Sequence, residues 1–94
     1  MKSQVLIGGG WRDADVVGTF RAVDPTSGQA IGDAFPISSC ADLDEALTAA
    51  CAVASELAAT APETIASFLA AYADGIEAHS EALASLAHQE TGLP

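Results

Sequence analysis

Two hydrophobic periods divide the chain. Up to residue 37, apolar positions come in short runs or alternate with polar ones; from Ser39 they recur every three or four residues. Gln4 to Ile7 is a short apolar run that Gly8-Gly9-Gly10 breaks, before Trp11 and the polar Asp13-Ala14-Asp15. Thr19 to Val23 is rich in β-branched and aromatic residues, with Phe20 and Ala22 on one face and Thr19, Arg21 and Val23 on the other. Asp24-Pro25-Thr26-Ser27-Gly28 has turn chemistry, since proline presets φ and glycine permits the exit, and Gln29 to Ile31 resumes an extended pattern. The reading is a β-hairpin across Pro25–Gly28.

Three helices follow in the pattern. Ser39-x-x-Asp42 resembles a capping box with Asp in the Glu/Gln position, and Leu43, Ala46, Leu47, Ala50, Ala54 and Leu57 form the stripe behind it. Asp42, Asp44 and Glu45 are placed in the first turn, where the helix dipole favours negative charge. Thr60-x-x-Glu63, with Pro62 between, predicts a second start, striped by Ile65, Phe68, Leu69, Tyr72 and Ile76. Ser80 or its neighbour caps a third helix, with Leu83, Leu86 and Ala87 on its stripe and Gly92 as its terminator. The fold class expected is α+β: strands and turns over 1–37, three helices over 39–92.

Composition tempers the apolar signal. Half of the 94 residues count as hydrophobic, but close to half of those are alanine, which buries little area. A weak core is expected, with an apolar face lent to something larger. Lys2, Arg12 and Arg21 are the only Lys or Arg residues against 13 acidic ones, and the formal charge of −10 disfavours nucleic acid and anionic lipid as partners. Cys40 and Cys51 make no disulfide framework, and no apolar run is long enough for a signal h-region or a membrane span. A soluble, cytoplasmic setting is the expectation.

No chemistry rises from the residues. Gly8-x-Gly10 is followed by Asp13 where the dinucleotide fingerprint needs glycine, and no P-loop occurs. His79 and His88, and Cys40 and Cys51, lack zinc-site spacing, so no metal site is assigned. Cys51 reads as a small buried hydrophobe beside the first stripe, and Cys40 as a first-turn thiol with no activating neighbour in sequence. Helix initiation accounts for Asp42, Asp44 and Glu45, and helix-end placement for both histidines. No catalytic and no cofactor-binding residue is assigned.

Five segments in register resemble the amino-terminal stretch of the aldehyde dehydrogenase superfamily. They are Ile7-Gly8-Gly9-Gly10-Trp11 ("I-x-G-x-W"), Phe20 to Gly28 ("F-x-x-x-x-P-x-T-G") and Ser39 to Ala46 ("D-V-D-x-A"). Phe68-Leu69 through Glu77 ("F-L-x-x-x-A-D-x-I-E") and Glu90-Thr91-Gly92 ("E-T-G") complete the set. Ser27 departs from the usual Thr, and Ile65 from the usual Arg before "F-L". Leu93-Pro94 after the Glu-Thr-Gly, and Ala34-Phe35-Pro36, are similar to the branch with α-ketoglutaric semialdehyde (2,5-dioxovalerate) and NADP-dependent fatty aldehyde dehydrogenases.

The resemblance implies NAD(P)-dependent oxidation of an aldehyde to a carboxylic acid by a homo-oligomer. In the family a cysteine nucleophile forms a thiohemiacetal, an oxyanion hole stabilises it, hydride passes to the nicotinamide, and a glutamate-activated water releases the acid. Neither Cys40 nor Cys51 matches that nucleophile. Residues 1–94 would be the N-terminal part of the α/β coenzyme-binding domain, a segment inactive by itself, with the catalytic domain absent. Ala22 and Val23 match main-chain positions of a monovalent-cation site in some relatives. A free-standing acidic helical module that binds a protein partner is the alternative of a different class.

Overall fold

The computed structural model describes residues 4–94. Seven elements follow in order: β1 (Val5–Ile7), β2 (Gly10–Arg12), β3 (Val16–Val23), β4 (Ala30–Ser38), α1 (Cys40–Ala59), α2 (Pro62–Ala78) and α3 (Ser80–Thr91). The strands form two separate antiparallel pairs, β1–β2 and β3–β4. The expected hairpin across Pro25–Gly28 is therefore present, and a second one precedes it. Gly8 and Gly9 make that earlier reversal: their φ values of 60° and 81° are both positive, as a two-residue hairpin loop of type I′ requires. Gly8-Gly9 is a turn between paired strands, and Gly10 opens the second of them opposite Ile7.

The second hairpin is longer than its sequence pattern. β4 continues through Gly32, Asp33 and Pro36, all poor strand formers: Pro36 pairs with Thr19, whereas Gly32 and Asp33 fall between the Phe20–Phe35 and Ala22–Ile31 pairs, with Gly32 at φ 64°. Irregularities between Val16 and Gly18 and between Phe20 and Ala22 absorb the misfit, while Phe20 stacks on Phe35 with ring centroids 5.5 Å apart. At the turn, the Asp24 carboxylate accepts the Thr26 N–H at 2.8 Å, and Gly28 N–H donates to the Asp24 carbonyl at 2.7 Å. The Thr26 N–H holds the Asp24 carboxyl below the usual carboxylate range.

Ser39 caps α1, its hydroxyl accepting the Asp42 N–H at 3.3 Å. The box is not reciprocal: the Ser39 N–H donates instead to the Asp15 carbonyl, and the Asp42 carboxylate turns away to other donors. Ser39→Ala should cost about 1 kcal/mol, the usual value of an N-cap, read from the urea midpoint of helical circular dichroism. An unchanged midpoint would remove Ser39 as the cap.

Thr60 does not begin α2. It is the C-cap of α1, and its hydroxyl donates to the Glu56 carbonyl at 2.9 Å. Ala61 holds the N-cap position without a side-chain bond, and Pro62 with Glu63 in the first turn signals the start. His79, the neighbour of Ser80, is at once the C-cap of α2 and the N-cap of α3. Gly92 ends α3 in the left-handed region at φ 69°, with its N–H on the His88 carbonyl at 2.8 Å.

Hydrophobic side chains form no buried core: among the described residues Asp42 alone is buried. β1 and β4 pack on α1, but neither α2 nor α3 makes an extensive contact with another element. The radius of gyration is 17.2 Å, against about 12 Å for a compact domain of this length. The accessible surface is 7236 Å², where a globular monomer of this mass shows roughly 5,000 Å². The stripes exist as predicted: that of α1 is partly covered by β1 near Leu43 and Ala46, and those of α2 and α3 are largely exposed.

Candidate functional site

A polar cluster with tertiary reach gathers at the start of α1. Asp42 lies one turn past the Ser39 cap and is 3% exposed. Its Oδ1 accepts Arg12 Nη2 at 2.9 Å, and its Oδ2 accepts the Asp15 backbone N–H at 2.8 Å. The same Arg12 nitrogen reaches Glu45 Oε2 at 2.7 Å, one helical turn further on and in solvent. β2 supplies the arginine at its last residue, and the Asp13–Asp15 link carries the amide. The Asp15 N–H foremost, then Arg12 and the Ser38 side chain, hold the Asp42 carboxyl below its ordinary range against the opposing cost of burial. Both carboxylate oxygens of Asp42 accept bonds from the hairpin side, so this buried carboxylate is engaged as a structural tie.

Sequence reasoning assigned Asp42 and Glu45 to the helix dipole and missed Arg12. Asp44, in the same run, joins neither bond. The available signal was scarcity. Arg12 is one of three Lys or Arg residues in a chain of 13 acids, and an Asp in a capping box is too short to serve the usual back-bond comfortably.

The other candidates do not converge. Cys40 opens α1 and Cys51 lies on the same helix, and both are exposed; the expectation of a buried Cys51 is overturned because α1 has no neighbour on that side. His79 places Nδ1 2.8 Å from the Gly75 carbonyl, and His88 Nδ1 meets the Leu93 carbonyl, so both serve helix ends as expected. No three His, Cys, Asp or Glu side chains among the described residues gather as a metal site would require. Ala22 and Val23 lie on β3 opposite Ile31 and Ala30, two pairs before the Asp24 turn closes.

Two clefts flank β1. One of about 390 Å³ is lined by Val5, Ile7, Ser39, Cys40 and Leu43, with Asp42 already engaged beside it. The other, about 600 Å³, lies between Gly8-Gly9 and the alanine face of α1 and is almost wholly apolar. Neither has the convergent polar groups that orient a small substrate. No helix of the described residues is long and apolar enough to cross a membrane.

The chain matches the aldehyde dehydrogenase family over residues 11–94, which takes in the Asp24–Gly28 turn, all three helices and the Gly92 stop. No curated protein and no solved structure matches it. With nearly its whole length aligned to that one family, the chain belongs to the aldehyde dehydrogenases.

Proposed function

We propose that this chain is a structural segment of the coenzyme-binding domain of an NAD(P)-dependent aldehyde dehydrogenase. The observation that carries the reading is the family match over residues 11–94. The uncovered stripes support the structural role: Leu43, Leu47, Leu57, Phe68, Leu69 and Tyr72 are all more than half exposed, as packing surfaces are when their neighbours are not present. The reacting cysteine, the oxyanion donors and the coenzyme contacts belong to other parts of such an enzyme. This segment presents its hairpins to a sheet and its helix stripes to a core. The aldehyde proposed is α-ketoglutaric semialdehyde, on the strength of Leu93-Pro94 following Glu-Thr-Gly, with fatty aldehydes as the competing substrates.

The test has two arms. The purified 94-residue chain, given aldehyde and NAD⁺ or NADP⁺, is expected to form no reduced nicotinamide; turnover would overturn the structural role. An enzyme carrying this segment is expected to prefer α-ketoglutaric semialdehyde over hexanal in kcat/KM, and the reverse order would overturn the substrate.

A further inference from the structure

The first hairpin is tied to the rest of the chain differently from every other element. β1 and β2 pair only with each other, and strand pairing does not extend to β3 or β4. An isolated two-stranded hairpin is marginal in water, so its order depends on what it docks against. Its apolar footing is small: half-buried Val5 and Ile7 rest near Ala46 and Leu43, and a methyl group added at Gly8 would meet Ala49 Cβ at 3.9 Å. Its polar footing is concentrated on one carboxylate, since Asp42 holds both the Arg12 side chain and the Asp15 amide. The Ser39 N–H on the Asp15 carbonyl, at 2.8 Å, completes the junction from the helix side.

We propose that Asp42 is a charge latch: its carboxylate seats the β1–β2 hairpin on the N-terminal turn of α1. When that charge is lost the hairpin releases as a unit, leaving β3–β4 and the helices in place.

The groups around Asp42 fix the sign of the effect. From the hairpin side come the Arg12 guanidinium and the Asp15 backbone N–H; from α1 comes Glu45, through the Arg12 nitrogen they share; from the end of β4 comes the Ser38 side chain. Arg12 is the one cation among them. Because the Asp42 carboxyl is held below its unfolded value near 3.8, the ionised form favours the docked hairpin above that pH. The contribution is lost as the pH falls through the lowered folded value. Glu45 is an exposed second anchor, so on its own it retains Arg12 weakly.

The chain carries its own reporter. Trp11 is the only tryptophan and is paired with Leu6 inside the hairpin. Amide hydrogen exchange of residues 5–12 in the full 94-residue chain, together with Trp11 fluorescence anisotropy, reads the hairpin; the amides of β3 and β4 read the rest. In Asp42→Asn, protection of 5–12 is expected to fall about tenfold, as for loss of a charge-assisted hydrogen bond, with Trp11 anisotropy falling alongside. Protection of β3–β4 should stay within about twofold, because local opening is independent of the remaining elements. Glu45→Gln should leave both regions near wild type, and acidification through the lowered folded value of the Asp42 carboxyl should reproduce the Asp42→Asn pattern in the wild-type chain. Equal loss of protection in both hairpins, an Asp42→Asn hairpin as protected as wild type, or a wild-type hairpin without protection at neutral pH would each overturn the latch.

Discussion

Replacing Phe68 by alanine is expected to have two very different costs in two settings. In the 94-residue chain Phe68 is 64% exposed on α2, and its one aromatic neighbour, Tyr72, lies 6.1 Å away on the same helix. Removing it there should shift stability by no more than about 0.5 kcal/mol, the usual range for a surface position. In an aldehyde dehydrogenase carrying this segment, the same substitution should cost about 3–5 kcal/mol, the value for truncating a buried aromatic. The difference follows from the stripe. Ile65, Phe68, Leu69, Tyr72 and Ile76 recur at helical spacing, so they form one continuous apolar face, and no other element of the described chain packs extensively on it. Parallel urea titrations of the two Phe68→Ala proteins measure both costs. Equal costs would mean that the face stays in solvent in the enzyme too, and the proposed structural role would fail.

Gly92→Val is expected to be the most damaging single change within the chain itself. Gly92 sits at φ 69°, where a β-branched residue is strained by about 1–2 kcal/mol. A Cβ there would also come within 3.3 Å of Pro25 Cγ and 3.6 Å of Thr26 Oγ1, so the new side chain meets the β3–β4 turn. The two penalties separate by substitution. Asn tolerates the left-handed region and keeps only the steric penalty, whereas Val has both. Midpoints from thermal unfolding should fall in the order wild type, Gly92→Asn, Gly92→Val. If Asn and Val are equivalent, the contact with Pro25 dominates; if Val matches wild type, α3 does not end as described.

Local features of this fold were legible and its tertiary joins were not, for physical reasons. The Asp24–Gly28 turn, the Ser39 cap and the Gly92 stop depend on residues within five positions of one another, so spacing reveals them. The sequence pattern stops short of β4's length because Gly32, Asp33 and Pro36 oppose strand propensity; Pro36 is held by its pair with Thr19, and Gly32 and Asp33 by the pairs that flank them. Thr60 looked like an N-cap because Thr-x-x-Glu fits that role equally well; its hydroxyl went to the preceding turn, a choice the local pattern does not encode. The first hairpin was hidden by the brevity of its strands, three residues each, which is too short for alternation to register. Arg12 and Asp42 are 30 residues apart, and no periodicity links them. Family membership was readable because it rests on several local motifs in order rather than on any one contact.

The two-stranded sheets have a consequence for handling the molecule. Because each sheet has two strands, all four strands are edges, each with a row of main-chain donors and acceptors facing outward. β3 and β4 are eight and nine residues long and carry exposed Val16, Val17, Phe20, Val23, Phe35 and Ile37. Long apolar edges of this kind template strand addition by other molecules, and hence aggregation. Pro36 interrupts one row by lacking an N–H, and the net charge of −10 keeps copies apart in dilute salt. High ionic strength screens that repulsion and leaves the edges uncovered, so concentrated salt is the condition in which this chain should assemble into β-rich precipitate.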